Sequence, residues 1–162
     1  MSGAVLKLLG AAILLLSAAA WGRGLCAHRR AITAQTEGFL TLFRALRSGI
    51  SYYRAPVGDI LARADARVLS ACSGRGETVR GESLSELNET CVFLSQDLAL
   101  LMAQAAGEIG RGYRDEQLAV CDRYLEALET LHREAAEKER EQSGLVTTLV
   151  IIAAAAVVIL LI

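Results

Sequence analysis

The chain has 162 residues, of which 53% are hydrophobic, 5% aromatic and 22% charged, and its formal net charge at pH 7 is −1. A length in this range predicts one domain, and so small a charge of mixed sign excludes a nucleic-acid binder that works through a basic surface. All 18 acidic residues lie between Glu37 and Glu141, and of the 17 basic residues only Lys7 lies outside Arg23–Arg140. The sequence therefore has an apolar segment at each end and a charged middle.

The first apolar segment, Ala4–Gly22, predicts a membrane helix. Its uninterrupted part, Leu8–Gly22, is short for a span. Lys7 and Trp21, however, are residue types that hold a helix at the lipid headgroups. A basic residue, a short apolar stretch and then Ser-Ala-Ala-Ala also fit a cleaved signal peptide. A retained segment and a cleaved one therefore both stay open at this point.

The second apolar segment, Leu145–Ile162, contains no charge and no proline. An apolar run of about 18 or more residues predicts a membrane-spanning helix. Basic residues flank both segments on the side of the middle, namely Arg23, Arg29 and Arg30 after the first and Lys138 and Arg140 before the second. By the positive-inside rule, this placement favours two retained spans, a cytoplasmic middle and both termini across the membrane.

We therefore predict an all-α fold, a membrane-anchored antiparallel helical bundle with one transmembrane helix at each end. The expected parts are an N-terminal transmembrane helix over residues 1–24, a cytoplasmic helical bundle over 25–142 and a C-terminal transmembrane helix over 143–162. The first and last helices of the middle are expected to run antiparallel from the same membrane face. The second and third helices are expected to fold against them or to cap their distal end.

An apolar seam predicts the first helix of the middle, from about Leu25 to Arg54, along Ile32, Phe39, Phe43, Leu46, Ile50 and Tyr53. Pro56 ends this helix, because the residue before a proline avoids the helical conformation. It also suits the first turn of a second helix, which the apolar residues of Val57–Leu69 predict. Three glycines without apolar periodicity predict a mobile loop over Ser73–Glu82.

A capping box, Ser83 with Glu86 three residues later, predicts the start of a third helix. Behind it the cleanest heptad seam of the chain predicts one continuous helix over residues 83–106, through Leu84, Leu87, Cys91, Leu94, Leu98, Leu101 and Ala105. A fourth helix is predicted from about Arg114 towards Gln142. His132 lies near the edge of its apolar face, where it is interpreted as a pH switch or as a polar residue close to the membrane.

The residues of chemical interest are few and scattered. The four cysteines, Cys26, Cys72, Cys91 and Cys121, form no closely spaced pair, so they predict small buried residues in a reducing compartment rather than a metal site. Cys72 is expected in the loop, where it would report on accessibility. The sequence contains no phosphate-binding glycine loop, no HExxH and no GxSxG motif, and we therefore predict no enzyme and no cofactor.

Four stretches carry a resemblance to a known family. They are Leu6–Ala11, the stretch Ile50–Val57 (ISYYRAPV), Ile109-Gly110 followed by Arg114 and Gln117, and Gly144 leading into an apolar tail. In this order and spacing, over nearly the whole length, the chain resembles the stage III sporulation protein AB family of endospore-forming bacteria. It departs from the family pattern at Gly49, where an acidic residue is usual, at Val57, where leucine is usual, and at Tyr113, a position often held by aspartate.

The resemblance implies a non-enzymatic membrane platform in the channel complex between mother cell and forespore, which sporulation requires. That family is similar to the inner-membrane platform protein of type II secretion, so the implied partners are a cytoplasmic secretion-type ATPase, other channel subunits and membrane lipid, with no nucleic acid and no small-molecule substrate. The implied location is the mother-cell-side membrane around the forespore. The implied partner-binding residues are Tyr52, Pro56, Gly110, Arg114 and Gln117. The alternative is a membrane-tethered coiled-coil adaptor unrelated to export, which self-associates through residues 83–106.

Overall fold

A computed structural model of the chain describes residues 2–53, 55–79 and 81–161. Within these residues the regular structure is helical throughout, which confirms the all-α prediction. The helices are α1 (Ser2–Ser48), α2 (Val57–Ala62), α3 (Ala66–Ser73), α4 (Leu84–Thr90), α5 (Gln96–Glu108) and α6 (Arg114–Leu161), with a π-helical turn, Gly49–Tyr53, directly after α1. The chain forms two compact units, one of Ala31–Ala135 and one of Met1–Arg30 with Ala136–Ile162.

The terminal unit consists of the first part of α1 and the last part of α6. The Arg29 Nε donates a hydrogen bond to Gln142 Oε1 at 2.8 Å, and Arg30 Nε lies 3.5 Å from Glu139 Oε1. Across the described residues, no helix is both long enough and apolar enough for a membrane crossing. Many apolar side chains of the two predicted spans, those of Leu14, Leu15 and 157–161 among them, lie outside the described part of the chain.

The core of the Ala31–Ala135 unit is built on the predicted seam of α1. Phe39, Phe43 and Leu46 are fully buried, and α6 contributes Tyr124 and other residues to the same cluster. Within this unit α1 and α6 run antiparallel, since Arg44 pairs with Glu129 while Arg47, further along α1, pairs with Asp122, earlier in α6. Such exposed ion pairs each contribute about 0–1 kcal/mol, so the buried apolar side chains dominate the stability of this unit.

The predicted second helix over Val57–Leu69 is wrong as a single element. It is two helices, α2 and α3, separated at Arg63–Asp65. Asp65 has extended backbone and its side chain accepts a hydrogen bond from the Arg67 N–H at 2.8 Å, which caps α3. An aspartate that accepts from a free N–H group in the first turn of a helix stabilises the start of that helix. Asp65 therefore favours a new helix, α3, rather than a continuation of α2.

The capping box at Ser83 is confirmed in part. The Ser83 Oγ accepts from the Glu86 N–H at 3.2 Å, as predicted. The Glu86 carboxylate, however, accepts from the N–H of Glu82, at 2.9 Å, one residue before the cap. Both bonds satisfy free donors at the start of α4, so the position of that start was correctly predicted.

The predicted continuous helix over residues 83–106 is wrong. The chain forms α4, then an extended segment at residues 91–95, then α5. The seam is nonetheless buried inside the unit, with Leu84, Leu87 and Leu98 at its centre. Because this heptad surface packs within the chain, the self-associating coiled coil of the alternative hypothesis loses the feature that motivated it.

A buried glutamine that the sequence analysis did not single out explains the interruption. Gln35, on α1, is 1% exposed. Its Nε2 donates to the carbonyl oxygens of Cys72 and Val92, both at 2.9 Å, and its Oε1 accepts from the Leu94 N–H at 3.0 Å. The Val92 N–H bonds to the Ser73 carbonyl oxygen at 2.9 Å. These bonds satisfy backbone groups that a continuous helix would pair internally, so the segment is stable in extended form.

The last helix and the loop also differ from expectation in one respect each. α6 begins at Arg114 as predicted but runs to Leu161, far beyond Gln142. Cys72 lies in α3 rather than in the loop, and it is fully buried. It is therefore not the accessible reporter that the sequence analysis expected.

Candidate functional site: a cleft at the start of the last helix

Four of the five predicted partner-binding residues line one cleft in the Ala31–Ala135 unit. They are Pro56, Gly110, Arg114 and Gln117, and the cleft has a volume of about 700 Å³. The other lining residues are Ile50, Ala55, Val57, Gly58 and Gly112. The fold thus brings together two stretches that are distant in sequence. Their role in partner binding stays a prediction.

One wall of the cleft is the π-helical turn that follows α1. A Cβ atom added at Gly49 would lie 2.5 Å from Cδ1 and 2.7 Å from Cγ1 of Ile60, so α2 packs directly against this glycine. An acidic side chain, usual here in the family pattern, would require the Ile60 side chain to shift. Glycine at position 49 therefore allows α2 to pack closely against the π-helical turn. Short π-helical segments are frequent at functional sites.

Arg114 joins this wall to the opposite one. Its Nε donates to the Ile50 carbonyl oxygen at 3.3 Å, and its terminal nitrogen donates to the Ser51 carbonyl oxygen. These carbonyls lie where the first helix ends and its internal partners run out. A guanidinium at the negative end of a helix dipole is also electrostatically favourable. Arg114 therefore fixes the two walls relative to each other and holds its charge at the cleft.

Gln117 shapes the turn between α5 and α6 from beneath. Its Oε1 accepts from the Gly110 N–H at 2.7 Å, and its Nε2 donates to the carbonyl oxygens of Arg111 and Glu108. It is 6% exposed. Gly110 and Gly112 have φ of 91° and 97°, in a region that favours glycine. Gln117 is thus a structural clamp of the turn.

Two tyrosines stand exposed at positions next to the cleft. Tyr52, in the π-helical turn, is 79% exposed, and Tyr113, in the turn before α6, is 83% exposed. Tyr52 was predicted as partner-binding and is adjacent to, but does not line, the cleft. Tyr113 was noted only as a departure from the family pattern. The sequence could have indicated Tyr113, because a large aromatic residue between Gly112 and the start of a helix has no core position available to it.

Reactive groups elsewhere in the unit are sequestered. Burial raises the pKa of the Cys91 and Cys121 thiols to about 11, and burial also raises the pKa of Cys72. In the described part of the chain, no cluster of His, Cys, Asp and Glu is arranged to hold a metal ion. His132 Nδ1 is buried and has no hydrogen-bond partner among the described atoms. The cleft is the candidate site of this unit.

The comparisons with known proteins agree with the resemblance noted in the sequence. The family described as stage III sporulation protein AB matches residues 7–162. No curated protein and no solved structure matches the chain. The match covers both walls of the cleft.

Proposed function

We propose, since the chain belongs to the stage III sporulation protein AB family, that it is a non-enzymatic membrane platform of the channel complex between mother cell and forespore. On this proposal the Ala31–Ala135 unit docks a cytoplasmic secretion-type ATPase, and other channel subunits and lipid surround the terminal segments. The membrane is the mother-cell-side one around the forespore. The two apolar segments span it, the middle is cytoplasmic and both termini lie across it.

The observation that carries the proposal is the cleft. It gathers Pro56, Gly110, Arg114 and Gln117 from two distant stretches, and these stretches are among those that carry the family resemblance. Tyr52 and Tyr113 add two large exposed aromatic side chains beside it. Exposed tyrosine and arginine next to an apolar cleft are the residue types that dominate protein–protein binding energy. A packed helical unit with such a surface suits a docking role.

The docking role is tested by measuring the affinity of the full chain, in detergent micelles, for the purified ATPase. Tyr52→Ala and Tyr113→Ala are expected to weaken binding about tenfold or more each, because hot-spot aromatic residues contribute at least about 1.4 kcal/mol. Leu100→Ala is the matched control, since Leu100 is 58% exposed on α5, a helix that does not line the cleft. Its affinity is expected to stay within about twofold.

Two results would contradict the docking proposal. One is an intact, folded chain that fails to bind the ATPase at concentrations of about 100 μM, a level at which even weak docking is visible. The other is binding that Leu100→Ala weakens as much as the tyrosine variants do. In a spore former, Tyr52→Ala combined with Tyr113→Ala is expected to arrest development after engulfment, as loss of the channel would.

The topology requires a reporter other than Cys72, which is buried. Glu77 is exposed in the segment between α3 and α4, and Cys26 is the one cysteine of the four that is not buried. A chain with Cys26→Ser and Glu77→Cys therefore carries one accessible thiol. A membrane-impermeant maleimide is expected to label it only after the cells are permeabilised. Labelling in intact cells would overturn the cytoplasmic placement of the middle.

A further inference from the structure

The two polar side chains among the described lining residues of the cleft direct their hydrogen bonds into the chain itself. Arg114 donates from its Nε to the Ile50 carbonyl oxygen and from a terminal nitrogen to that of Ser51. Gln117 bonds to the backbone of the turn between α5 and α6, and it is 6% exposed. A ligand that displaced these bonds would gain one hydrogen bond at the loss of another. Neither side chain therefore favours a polar ligand in the cleft.

The charges next to the cleft balance one another. Arg111 and Arg114 are followed by Asp115 and Glu116, which occupy the first turn of α6 and also offset the positive end of its dipole. One carboxylate oxygen of Glu116 lies 2.6 Å from the position that a Cβ atom at Gly112 would take. Two basic and two acidic side chains on so short a stretch leave no net charge that would select a charged ligand.

The remaining surface of the cleft is apolar. Its side chains are those of Ile50, Ala55, Pro56 and Val57, and glycines contribute the rest of the described lining. A Cβ at Gly110 would meet no atom within 4 Å, so the backbone of this turn is open to a partner. The volume of about 700 Å³ exceeds that of any one side chain. Removal of such a surface from water is favourable in proportion to its apolar area.

We infer that the cleft receives a large apolar side chain from an uncharged segment of a partner protein. This inference rests on the proposed docking function and specifies its chemistry. Tyr52 and Tyr113, which are 79% and 83% exposed next to the cleft, would lie around the buried anchor. An apolar anchor in a pocket, with aromatic residues beside it, is typical of the energetic centre of a protein interface. A carboxylate or an ammonium at this place would lose its hydration without a free partner of opposite charge.

A tethering experiment tests the chemistry of the cleft without the partner. In the full chain, Ala55→Cys places a thiol on the lining, and Cys26→Ser removes the one native cysteine that is not buried. The purified chain in detergent micelles is equilibrated, in a fixed excess of mercaptoethanol, with three small disulfides that carry an isobutyl, a carboxylate or an ammonium tail. Mass spectrometry measures the fraction of the chain that retains each tail. The matched control carries Glu77→Cys in place of Ala55→Cys, since Glu77 is exposed and does not line the cleft.

The isobutyl tail is expected to be retained at position 55 about threefold or more over both charged tails, after division by the same ratios at position 77, because only the apolar tail gains from burial. Division by the control removes the partition of each reagent into the micelles. Folding is checked by the protection of Cys72 and Cys91 from alkylation. If Ala55→Cys exposes them, Val57→Cys takes its place as a second lining position with the same expected preference.

The inference is overturned if either charged tail is retained in the cleft as strongly as the isobutyl tail. It is also overturned if the isobutyl tail is retained no better in the cleft than at position 77. Neither outcome depends on the ATPase, so this test and the docking test fail separately.

Discussion

Gln35→Leu is the substitution that most directly tests how the Ala31–Ala135 unit is held together. It keeps roughly the side-chain volume but removes the hydrogen bonds to the carbonyls of Cys72 and Val92 and from the N–H of Leu94. A typical buried hydrogen bond contributes about 1 kcal/mol, so the loss of all three predicts about 3 kcal/mol. Because Gln35 is 1% exposed, water does not replace it, and stranded backbone groups raise the expected loss towards about 5 kcal/mol.

The free energy of unfolding is measured by urea titration of the full chain in detergent micelles, with thiol labelling of Cys72 and Cys91 as the local readout. Both thiols are buried, and Cys91 begins the extended segment that Gln35 fixes. A loss of about 3 kcal/mol raises the open population by about 100-fold. The labelling rates are expected to rise in proportion when reclosing is faster than labelling.

Gln104→Leu is the control, because Gln104 is exposed on α5 and the same chemical change there is expected to alter stability by no more than about 0.5 kcal/mol. The reasoning is refuted if Gln35→Leu lowers the free energy of unfolding by less than about 1 kcal/mol. In that case the bonds of Gln35 would not be what stabilises the interruption between α4 and α5.

Gln35→Glu adds a pH signature to the same test. A carboxylate still accepts from Leu94 but cannot donate to the two carbonyl oxygens, so the folded state disfavours the ionised form. The pKa of the introduced carboxyl is therefore raised above its unfolded value of about 4.3. The deficit in stability relative to the wild type is largest above that folded pKa. It is expected to shrink as the pH falls through it, because the protonated group regains one donor.

Three further predictions follow from other side chains. The hydrogen bond and charge of Arg47 hold the pKa of the Asp122 carboxyl below its ordinary value. The stabilisation from this pair is therefore present above the unfolded pKa and lost as the pH falls through the folded one. In Arg47→Ala, NMR titration is expected to show that the Asp122 pKa rises. His132→Leu removes a buried nitrogen without a described partner, so urea titration is expected to show a gain of up to about 1 kcal/mol, and a loss above about 1 kcal/mol would refute this. At pH 8 a thiol reagent is expected to label Cys26 first and the three buried cysteines only on unfolding; rapid labelling of all four would contradict their burial.

The sequence was sufficient for the features that depend on local chemistry. Pro56, Ser83 and the glycines before Arg114 mark helix boundaries because each changes what the backbone does at its own position. The seam of α1 was predicted because burial of one helix face imposes its own periodicity. Pro56, Gly110, Arg114 and Gln117 were named as partner-binding residues only through the family resemblance, since the contacts that join them are not local and no local signal predicts that they meet.

The features that were predicted wrongly depend on partners far along the chain. The heptad pattern of residues 83–106 is as regular as that of a continuous helix, and nothing nearby announces that Gln35 will pair with Val92 and Leu94. The sequence did contain one indication of this contact. The apolar residues of the α1 seam are three or four positions apart, except that Ile32 and Phe39 are seven apart. The polar Gln35 occupies the skipped turn, where it is buried. A polar residue at a core position of a helix therefore indicates a long-range partner.

The contacts of Arg114 have a consequence for how the surface of the cleft forms. Its hydrogen bonds to the carbonyls of Ile50 and Ser51 couple two stretches about 60 residues apart in the chain. The surface they form is a discontinuous epitope, which no short peptide of this chain reproduces. On the docking function proposed above, a partner of this surface would bind only a chain that has finished folding, so docking itself would discriminate against misfolded copies.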